Sequence, residues 1–176
     1  MRLTSAILIL AAGLISTSSS HSADQTTGEE LSATVLMYHR FDDNRYPSTN
    51  TSMRDFRDHI ELLKTLDRSI VPLTDIVKAL DGAGKLPEGA VAITIDDAYA
   101  SVYDNAWPYL RDNKIPFTLF VATEPVARGQ EGYITPKQLR EMATHPGVSI
   151  ANHGHTHSSF AFMSGEAVET EIETAE

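Results

Sequence analysis

The sequence predicts an α/β protein built around a parallel β-sheet. Short apolar segments rich in β-branched residues alternate with segments whose apolar residues recur every three or four positions, which indicates strands alternating with helices. Hydrophobic residues make up 41% of the 176-residue chain, enough to form the core of one domain. This alternation produces βαβ units, and their sheet is either open or closed into a barrel.

The N-terminus has the pattern of a secretory signal peptide. Arg2 precedes an apolar stretch at residues 6–15, and small polar residues follow up to a cleavage position after Ala23. We therefore predict that residues 1–23 are a signal peptide, that residues 24–33 are a polar leader, and that the mature protein is exported to the periplasm or the medium. A buried N-terminal helix is the alternative interpretation.

The folded domain is predicted at residues 34–176. It begins with a strand at residues 34–38, where the sequence TVLMY is apolar and rich in strand-forming residues. Ser52 then stands at the N-cap of a helix whose apolar residues recur at helical spacing. Residues 70–73 predict a second short strand, and Thr74 caps the small helix that follows it.

The second half of the chain holds the strongest strand patterns. Residues 91–95 and the FTLFV segment at residues 117–121 predict buried strands. Between them, residues 101–112 predict a helix that Pro108 kinks or splits. The remaining predicted elements are a helix that begins at Thr135 and Pro136, a strand at residues 148–151, and an acidic helix that Ser164 caps.

The composition excludes several classes of function. A formal net charge of −10 argues against nucleic-acid binding, which needs clustered Lys and Arg. The chain has no cysteine, so disulfides, cysteine-ligated zinc and a thiol nucleophile are excluded. No stretch of eighteen apolar residues occurs, and we therefore predict no transmembrane segment.

Polar residues follow three of the predicted strands. His39 follows the first strand, Asp96 and Asp97 follow the strand at residues 91–95, and His153 follows the last strand. Because the carboxyl ends of parallel strands meet at one edge of the sheet, we expect these side chains to lie close together.

The histidine spacing indicates a metal site. His153 and His157 are four residues apart, which brings both imidazoles to one side of a helical turn. Zinc proteases carry a glutamate beside the first histidine, and Gly154 occupies that place here, so the protease hypothesis fails. One aspartate of the Asp96–Asp97 pair completes a site with two histidines and one carboxylate, and the other serves as a general base.

Each feature also has an ordinary structural interpretation. A pair of aspartates before a helix is often only a favourable charge at the helix N-terminus. A histidine-rich loop is often a solvated surface segment, and His39 either lines the pocket or packs beneath it. The placement of both features at predicted strand ends is what favours the metal interpretation.

Two motifs together resemble the polysaccharide deacetylases, also called carbohydrate esterase family 4. Residues 94–98 (TIDDA) are similar to the family's first motif, T-F-D-D-G, and residues 153–157 (HGHTH) to its second, H-[ST]-x-x-H. The FTLFV strand lies between them. The segment LMYHRF at residues 36–41 resembles the first strand of members that act on exported poly-N-acetylglucosamine.

The resemblance implies a distorted (β/α) barrel, which has seven strands in the family. It implies a metal-dependent hydrolase that removes N-acetyl groups from a cell-envelope or extracellular glycan similar to poly-N-acetylglucosamine. In this sequence Asp96 would be the general base, and Asp97, His153 and His157 would bind the divalent metal, usually Zn²⁺. The expected partner is the N-acetylated glycan substrate, and the sequence does not specify an oligomeric state.

The sequence also departs from the family pattern. Ala98 replaces the glycine of the first motif, and Gly154 replaces the Ser or Thr of the second. The family's later motifs, including the leucine–histidine segment that supplies the general acid, do not occur before the chain ends at Glu176. We therefore expect only the first four or five strands of the barrel, and negligible deacetylase activity from the 176-residue chain alone. A longer product that continues past Glu176 is expected to be active.

Two other functions stay open. The chain could be a non-catalytic remnant that binds metal or glycan, or an amidase that acts on a small C–N substrate. The aspartate pair favours an enzyme because a lectin needs no general base, whereas the missing acid favours a remnant. The export signal favours a cell-envelope glycan over a cytosolic metabolite.

Overall fold

The computed structural model describes residues 32–176, so the predicted signal peptide and nearly all of the predicted leader lie outside the described residues. The strands are β1 (Ala33–Tyr38), β2 (Arg40–Phe41), β3 (Asn50–Thr51), β4 (Ala90–Ile95), β5 (Phe117–Val121) and β6 (Val148–Asn152). The helices are α1 (Met53–Thr65), α2 (Leu73–Leu80), α3 (Trp107–Asp112), α4 (Thr123–Ala127), α5 (Pro136–Ala143) and α6 (Gly165–Thr174).

Four of the strands form one parallel sheet, in the order β1-β4-β5-β6. The prediction of an α/β fold with a parallel sheet is therefore confirmed, and the sheet of the described residues has four strands. In the strand registers Tyr38 pairs with Ile95, Ile95 with Leu119, and Val121 with Asn152. The carboxyl ends of β1, β4 and β6 consequently reach the same edge of the sheet.

The two central strands carry the core, and the two outer strands are partly exposed. All six residues of β4 are buried, as are four of the five residues of β5. Most residues of β1 are exposed, and no residue of β6 is buried. The largest fully buried side chains are Phe41, Phe56, Ile60, Ile93, Ile95, Leu110, Phe117, Leu119, Val121, Ile134 and Met142, together with Val102.

The predicted helix starts at Ser52, Thr135 and Ser164 are confirmed. The Ser52 hydroxyl accepts a hydrogen bond from the Asp55 N–H (3.0 Å) and caps α1. Thr135 and Gln138 form a capping box at the start of α5, and Ser164 caps α6 through the Ala167 N–H. These contacts are local in sequence, which is why the sequence predicts them well.

The predicted strand at residues 70–73 is wrong. Only a single bridge forms, between Ile70 and Val91, and the Val71 N–H donates to the Val91 carbonyl at 2.9 Å. Pro72 has no N–H and cannot extend the pairing. Helix α2 then begins at Leu73, with Pro72 rather than Thr74 at the N-cap.

The predicted helix at residues 101–112 splits, as Pro108 allows. A π-helical turn, Val102–Ala106, precedes α3, and Pro108 lies in the first turn of α3, where an N–H is not needed. The sequence did not predict α4 or the β2–β3 pair. None of the helices within residues 32–176 has both the length and the apolar composition that a membrane span requires.

Candidate metal centre

The aspartate pair stands directly on the hydrophobic core. Asp96 and Asp97 follow the fully buried strand β4 and are themselves only 9% and 3% exposed. The Asp96 N–H donates to the Tyr38 carbonyl at 2.9 Å, which continues the pairing of β4 with β1 by one residue. The backbone that carries both carboxylates is therefore fixed by the sheet.

A left-handed turn directs the chain away from the sheet after Asp96. Asp97 (φ 72°) and Ala98 (φ 59°) both occupy the left-handed region, which is uncommon for residues other than glycine. The Ile134 N–H donates to the Ala98 carbonyl at 3.0 Å and supports the turn. Ala98, at the position of the motif glycine, therefore adopts a left-handed conformation.

His153 and His157 follow the partly exposed strand β6. The His153 N–H donates to the Val121 carbonyl at 3.1 Å and continues the β5–β6 pairing. Beyond it, residues 153–157 form an irregular loop in which Gly154 (φ 77°) and His157 (φ 62°) are left-handed. The expected helical turn is therefore wrong, because these two φ values are incompatible with an α-helix.

The loop nevertheless brings both imidazoles to one carboxylate oxygen. His153 Nε2 lies 3.1 Å and His157 Nε2 lies 2.7 Å from Asp97 Oδ1. The two histidine side chains are 33% and 37% exposed, whereas the Asp97 side chain is only 5% exposed. Asp97, His153 and His157 form a cluster whose donor atoms all lie within 4.8 Å of one another.

The chemistry of this cluster fits a divalent cation. Asp97 Oδ1 is buried, and two imidazole nitrogens lie beside it at 3.1 and 2.7 Å. One carboxylate oxygen and two imidazole nitrogens that converge on one point are a donor set that binds divalent cations such as Zn²⁺. One carboxylate and two imidazoles leave open positions, as in catalytic zinc sites.

The charges in the cluster are coupled. Burial raises the pKa of Asp97, but contacts with His153 and His157 outweigh burial and hold that pKa below its usual value. The contact with Asp97 raises the pKa of His153. The carboxylate therefore stays ionised, as a metal ligand must be.

Asp96 lies beside this cluster but is not part of it. Burial raises the pKa of Asp96, and His39 Nε2 lies 4.0 Å from its Oδ2 atom. The side chain of His39 is partly exposed and lies beside the Asp96 carboxylate.

Tyr99 is a site residue that the sequence did not predict. Its phenol interacts with the Asp97 side chain, and burial together with the Asp97 charge raises the pKa of Tyr99. The guanidinium of Arg40 lies 3.3 Å from the centroid of the Tyr99 ring. The Tyr133 ring packs against the Tyr99 ring, with 5.0 Å between the two centroids. Only the position of Tyr99 two residues after Asp97 could have indicated this role.

Helix α4 holds the histidine loop from one side. Thr123 N–H donates to the Gly154 carbonyl at 3.2 Å, and Glu124 N–H donates to the His155 carbonyl at 2.9 Å. The Thr123 hydroxyl also lies 2.9 Å from His155 Nδ1, so His155 turns away from the cluster. Nothing in the sequence near Thr123 predicted these contacts, because they join residues more than thirty positions apart.

A cavity of about 580 Å³ opens beside the cluster. Its lining includes His153 and His157 together with the partly exposed Phe160 and Ile172. An open, partly apolar cavity next to the donor cluster has room for part of a substrate.

A family model and a curated relative that match this chain are both described as deacetylases. Residues 83–176 match the family model described as polysaccharide deacetylase. The chain is 30% identical over 133 residues to the poly-β-1,6-N-acetyl-D-glucosamine N-deacetylase of Staphylococcus aureus, a match that covers 65% of this chain and 45% of that protein. The chain spans about half the length of the curated relatives it matches.

Two solved structures have a similar fold. IcaB from Ammonifex degensii superposes with a TM-score of 0.71 at 28% identity, over 81% of this chain and 66% of that one. The deacetylase PplD from Streptococcus pyogenes, solved in complex with acetate, superposes with a TM-score of 0.72 at 22% identity, over 81% and 65% of the two chains. The second likeness concerns the fold alone.

Proposed function

The chain belongs to the polysaccharide deacetylase family, and from that premise we propose that its metal centre removes N-acetyl groups from an extracellular or cell-envelope glycan. The observation that carries the proposal is the convergence of His153 and His157 on the buried Oδ1 atom of Asp97, with the carboxylate of Asp96 beside it. A binding module for neutral sugars has no need of this arrangement.

In this proposal Asp97, His153 and His157 hold a divalent cation. Zn²⁺ is the ion we propose, because its usual ligands are imidazole nitrogen and carboxylate oxygen and its catalytic sites use three protein ligands. When bound, the cation supplies Lewis acidity toward the acetamide carbonyl. The burial of Asp97 and its contact with Tyr99 keep the carboxylate oriented toward the two histidines.

Asp96 has a separate task in this proposal. It accepts a proton from the water that attacks the acetamide carbon, and it need not ligate the cation to do so. The carbon–nitrogen bond then breaks, acetate leaves, and the sugar amine takes up a proton. His39, whose Nε2 atom lies 4.0 Å from the Asp96 carboxylate, restricts the orientation of this base.

We propose a poly-N-acetylglucosamine-like polymer as the substrate class. The support is the Staphylococcus aureus relative, whose name gives poly-β-1,6-N-acetyl-D-glucosamine as its substrate, and the open cavity beside the histidines. Export is part of the same proposal, because residues 1–23 have the pattern of a signal peptide. N-terminal sequencing of exported protein tests it, and an intact Met1 on exported material would contradict cleavage.

The experiment that tests the function measures acetate release from N-acetylglucosamine oligomers by the natural gene product in the presence of zinc. We expect release that stops when zinc is removed by a chelator and resumes when zinc is restored. A protein that binds zinc at the cluster but releases no acetate would instead support the non-catalytic alternative. Release that a chelator does not affect would contradict the metal-dependent mechanism.

A further inference from the structure

The position of the two histidines relative to each other depends on an irregular loop. Gly154, His155 and Thr156 join His153 to His157, and no helix or strand hydrogen bonds hold this segment. Helix α4 contacts the carbonyl groups of Gly154 and His155. The N–H groups of the loop need other partners, and these partners determine how rigid the loop is.

The Gly154 N–H donates to Asn152 Oδ1 at 2.7 Å, and Glu171, on helix α6, supplies the partners of the His155 and Thr156 N–H groups. Its Oε2 atom accepts hydrogen bonds from two consecutive backbone N–H groups, those of His155 (3.0 Å) and Thr156 (2.8 Å). Its Oε1 atom accepts a hydrogen bond from the Thr156 hydroxyl at 2.9 Å. One carboxylate therefore satisfies three donors of the loop, and bonds to an ionised acceptor are roughly twice as strong as neutral ones.

The stability of helix α6 does not explain a glutamate at this position. Glu171 lies in the last turn of α6, where the helix dipole disfavours a negative charge, and that turn contains no basic residue. Among residues 32–176 no lysine or arginine forms an ion pair with Glu171. The histidine loop is the partner that the structure gives to this carboxylate.

We propose that Glu171 is a positioning residue of the metal centre. By holding the N–H groups of His155 and Thr156, it fixes the loop that joins His153 to His157 and so sets the separation of the two imidazoles. This inference rests on the proposed metal role of those histidines. Residues that orient metal ligands without binding the metal themselves typically contribute a factor of about 10–100 in metal affinity.

Three variants test the proposal. Glu171→Ala removes all three contacts, whereas Glu169→Ala removes an exposed acidic side chain from the same helix and is the matched control. Glu171→Gln keeps one oxygen for the two N–H groups and presents an amide to the Thr156 hydroxyl. That hydroxyl can turn its proton to Ser158 Oγ, 2.8 Å away, so glutamine is expected to rescue the contact.

The first measurement needs no metal. Hydrogen exchange of the His155 and Thr156 amides in metal-free protein should be about tenfold faster in Glu171→Ala than in wild type, because each amide loses a charge-assisted hydrogen bond. Glu169→Ala should leave both rates unchanged, and Glu171→Gln should stay within about threefold of wild type. Unchanged exchange in Glu171→Ala would overturn the proposal.

The second measurement is the zinc dissociation constant, obtained by competition with a chromophoric chelator. We expect it to rise about 10–100-fold in Glu171→Ala and to stay near the wild-type value in Glu171→Gln and Glu169→Ala. The visible spectrum of the cobalt-substituted protein should change only in Glu171→Ala. Should Glu171→Ala fail to fold, Thr156→Val, which removes one of the three contacts, should show a smaller weakening in the same direction.

The outcomes separate this inference from the proposed function. Wild-type affinity for zinc in Glu171→Ala, or in Thr156→Val where that variant is used, overturns the role of Glu171 and leaves the metal centre intact. A wild-type chain that binds no zinc overturns both. Equal weakening in Glu171→Ala and Glu171→Gln also overturns the proposal, because hydrogen bonding to the loop would then not be the cause.

Discussion

The two halves of the candidate metal centre are built in different ways. Asp96 and Asp97 follow a strand whose residues are all buried, whereas His153 and His157 follow an edge strand of the described sheet that has no buried residue. The hydrophobic core fixes the first half. Hydrogen bonds from helices α4 and α6 fix the second half.

This difference determines which part of the site is rigid and which part adapts. A ligand mounted on a close-packed core cannot shift without disturbing many contacts. A ligand on a loop held by a few hydrogen bonds can shift at smaller cost, and a metal ion that binds there supplies the missing constraint. Substitutions in each half can therefore test the two halves separately.

The first prediction concerns the exposed half of the site, which carries His153 and His157. His153→Ala should reduce zinc content after dialysis from near one ion per chain to near zero, because two donors remain and three are the usual minimum for a tight zinc site. The free energy of unfolding of the metal-free protein should change little, since the side chain is 33% exposed. Elemental analysis and chemical denaturation give the two values, and unchanged zinc content would remove His153 from the site.

The second prediction concerns the buried half of the site, which carries Asp96 and Asp97. Asp96→Asn should keep the metal while deacetylation by the natural gene product falls by about two to four orders of magnitude, the usual cost of removing a general base. Zinc content measured on the same sample is the control. Loss of zinc in this variant would exchange the roles of Asp96 and Asp97, and unchanged turnover would exclude Asp96 from the mechanism.

The third prediction compares the strands beneath the two halves through the same substitution. Ile93→Ala on β4 removes a fully buried side chain and should lower the free energy of unfolding by about 2–5 kcal/mol. Ile150→Ala on β6 alters a side chain that is 40% exposed, and should cost about 1 kcal/mol. Denaturant titrations of metal-free protein measure both values, and equal costs would contradict the contrast between core and edge.

The contrast also explains how much of the fold the sequence predicts. The FTLFV segment predicts β5 with the bounds that the structure shows, because a continuous run of apolar residues is the pattern of a buried strand. The strand expected at residues 70–73 failed because Pro72 interrupts pairing. Helix α4 was missed because its five residues are too few to display helical periodicity.

In the candidate site, too, local sequence patterns predict some features and tertiary contacts determine the rest. The sequence singled out Asp97, His153 and His157 through motif spacing, and the structure brings them together because parallel strands end at one edge. It could not show the path between the histidines, since a spacing of four fits a helical turn and also the left-handed loop that forms. Thr123 and Glu171 contribute through contacts that depend on tertiary structure, so no local pattern marks them, and Tyr99 is marked only by its position two residues after Asp97.

The fourth prediction tests the left-handed position of the exposed half. Gly154→Ala should lower the free energy of unfolding by about 1–2 kcal/mol, because alanine is strained at φ 77°. The added methyl group would lie 3.4 Å from the ring of Phe160, a partly exposed side chain that can move aside. Thermal and chemical denaturation measure the cost, and a variant as stable as wild type would show that the loop relaxes freely.

The last and smallest effect is expected from the converse substitution in the buried half. Ala98→Gly relieves strain of about 1 kcal/mol at φ 59°, but it also removes a fully buried methyl group, which contributes about 0.8 kcal/mol, and makes the unfolded chain more flexible. These terms nearly cancel, so the free energy of unfolding should change by less than about 1 kcal/mol. Zinc affinity should stay within a few-fold of wild type, because the core still holds Asp97. A gain above about 1.5 kcal/mol would mean that the buried methyl contributes little and that the turn is strained without compensation.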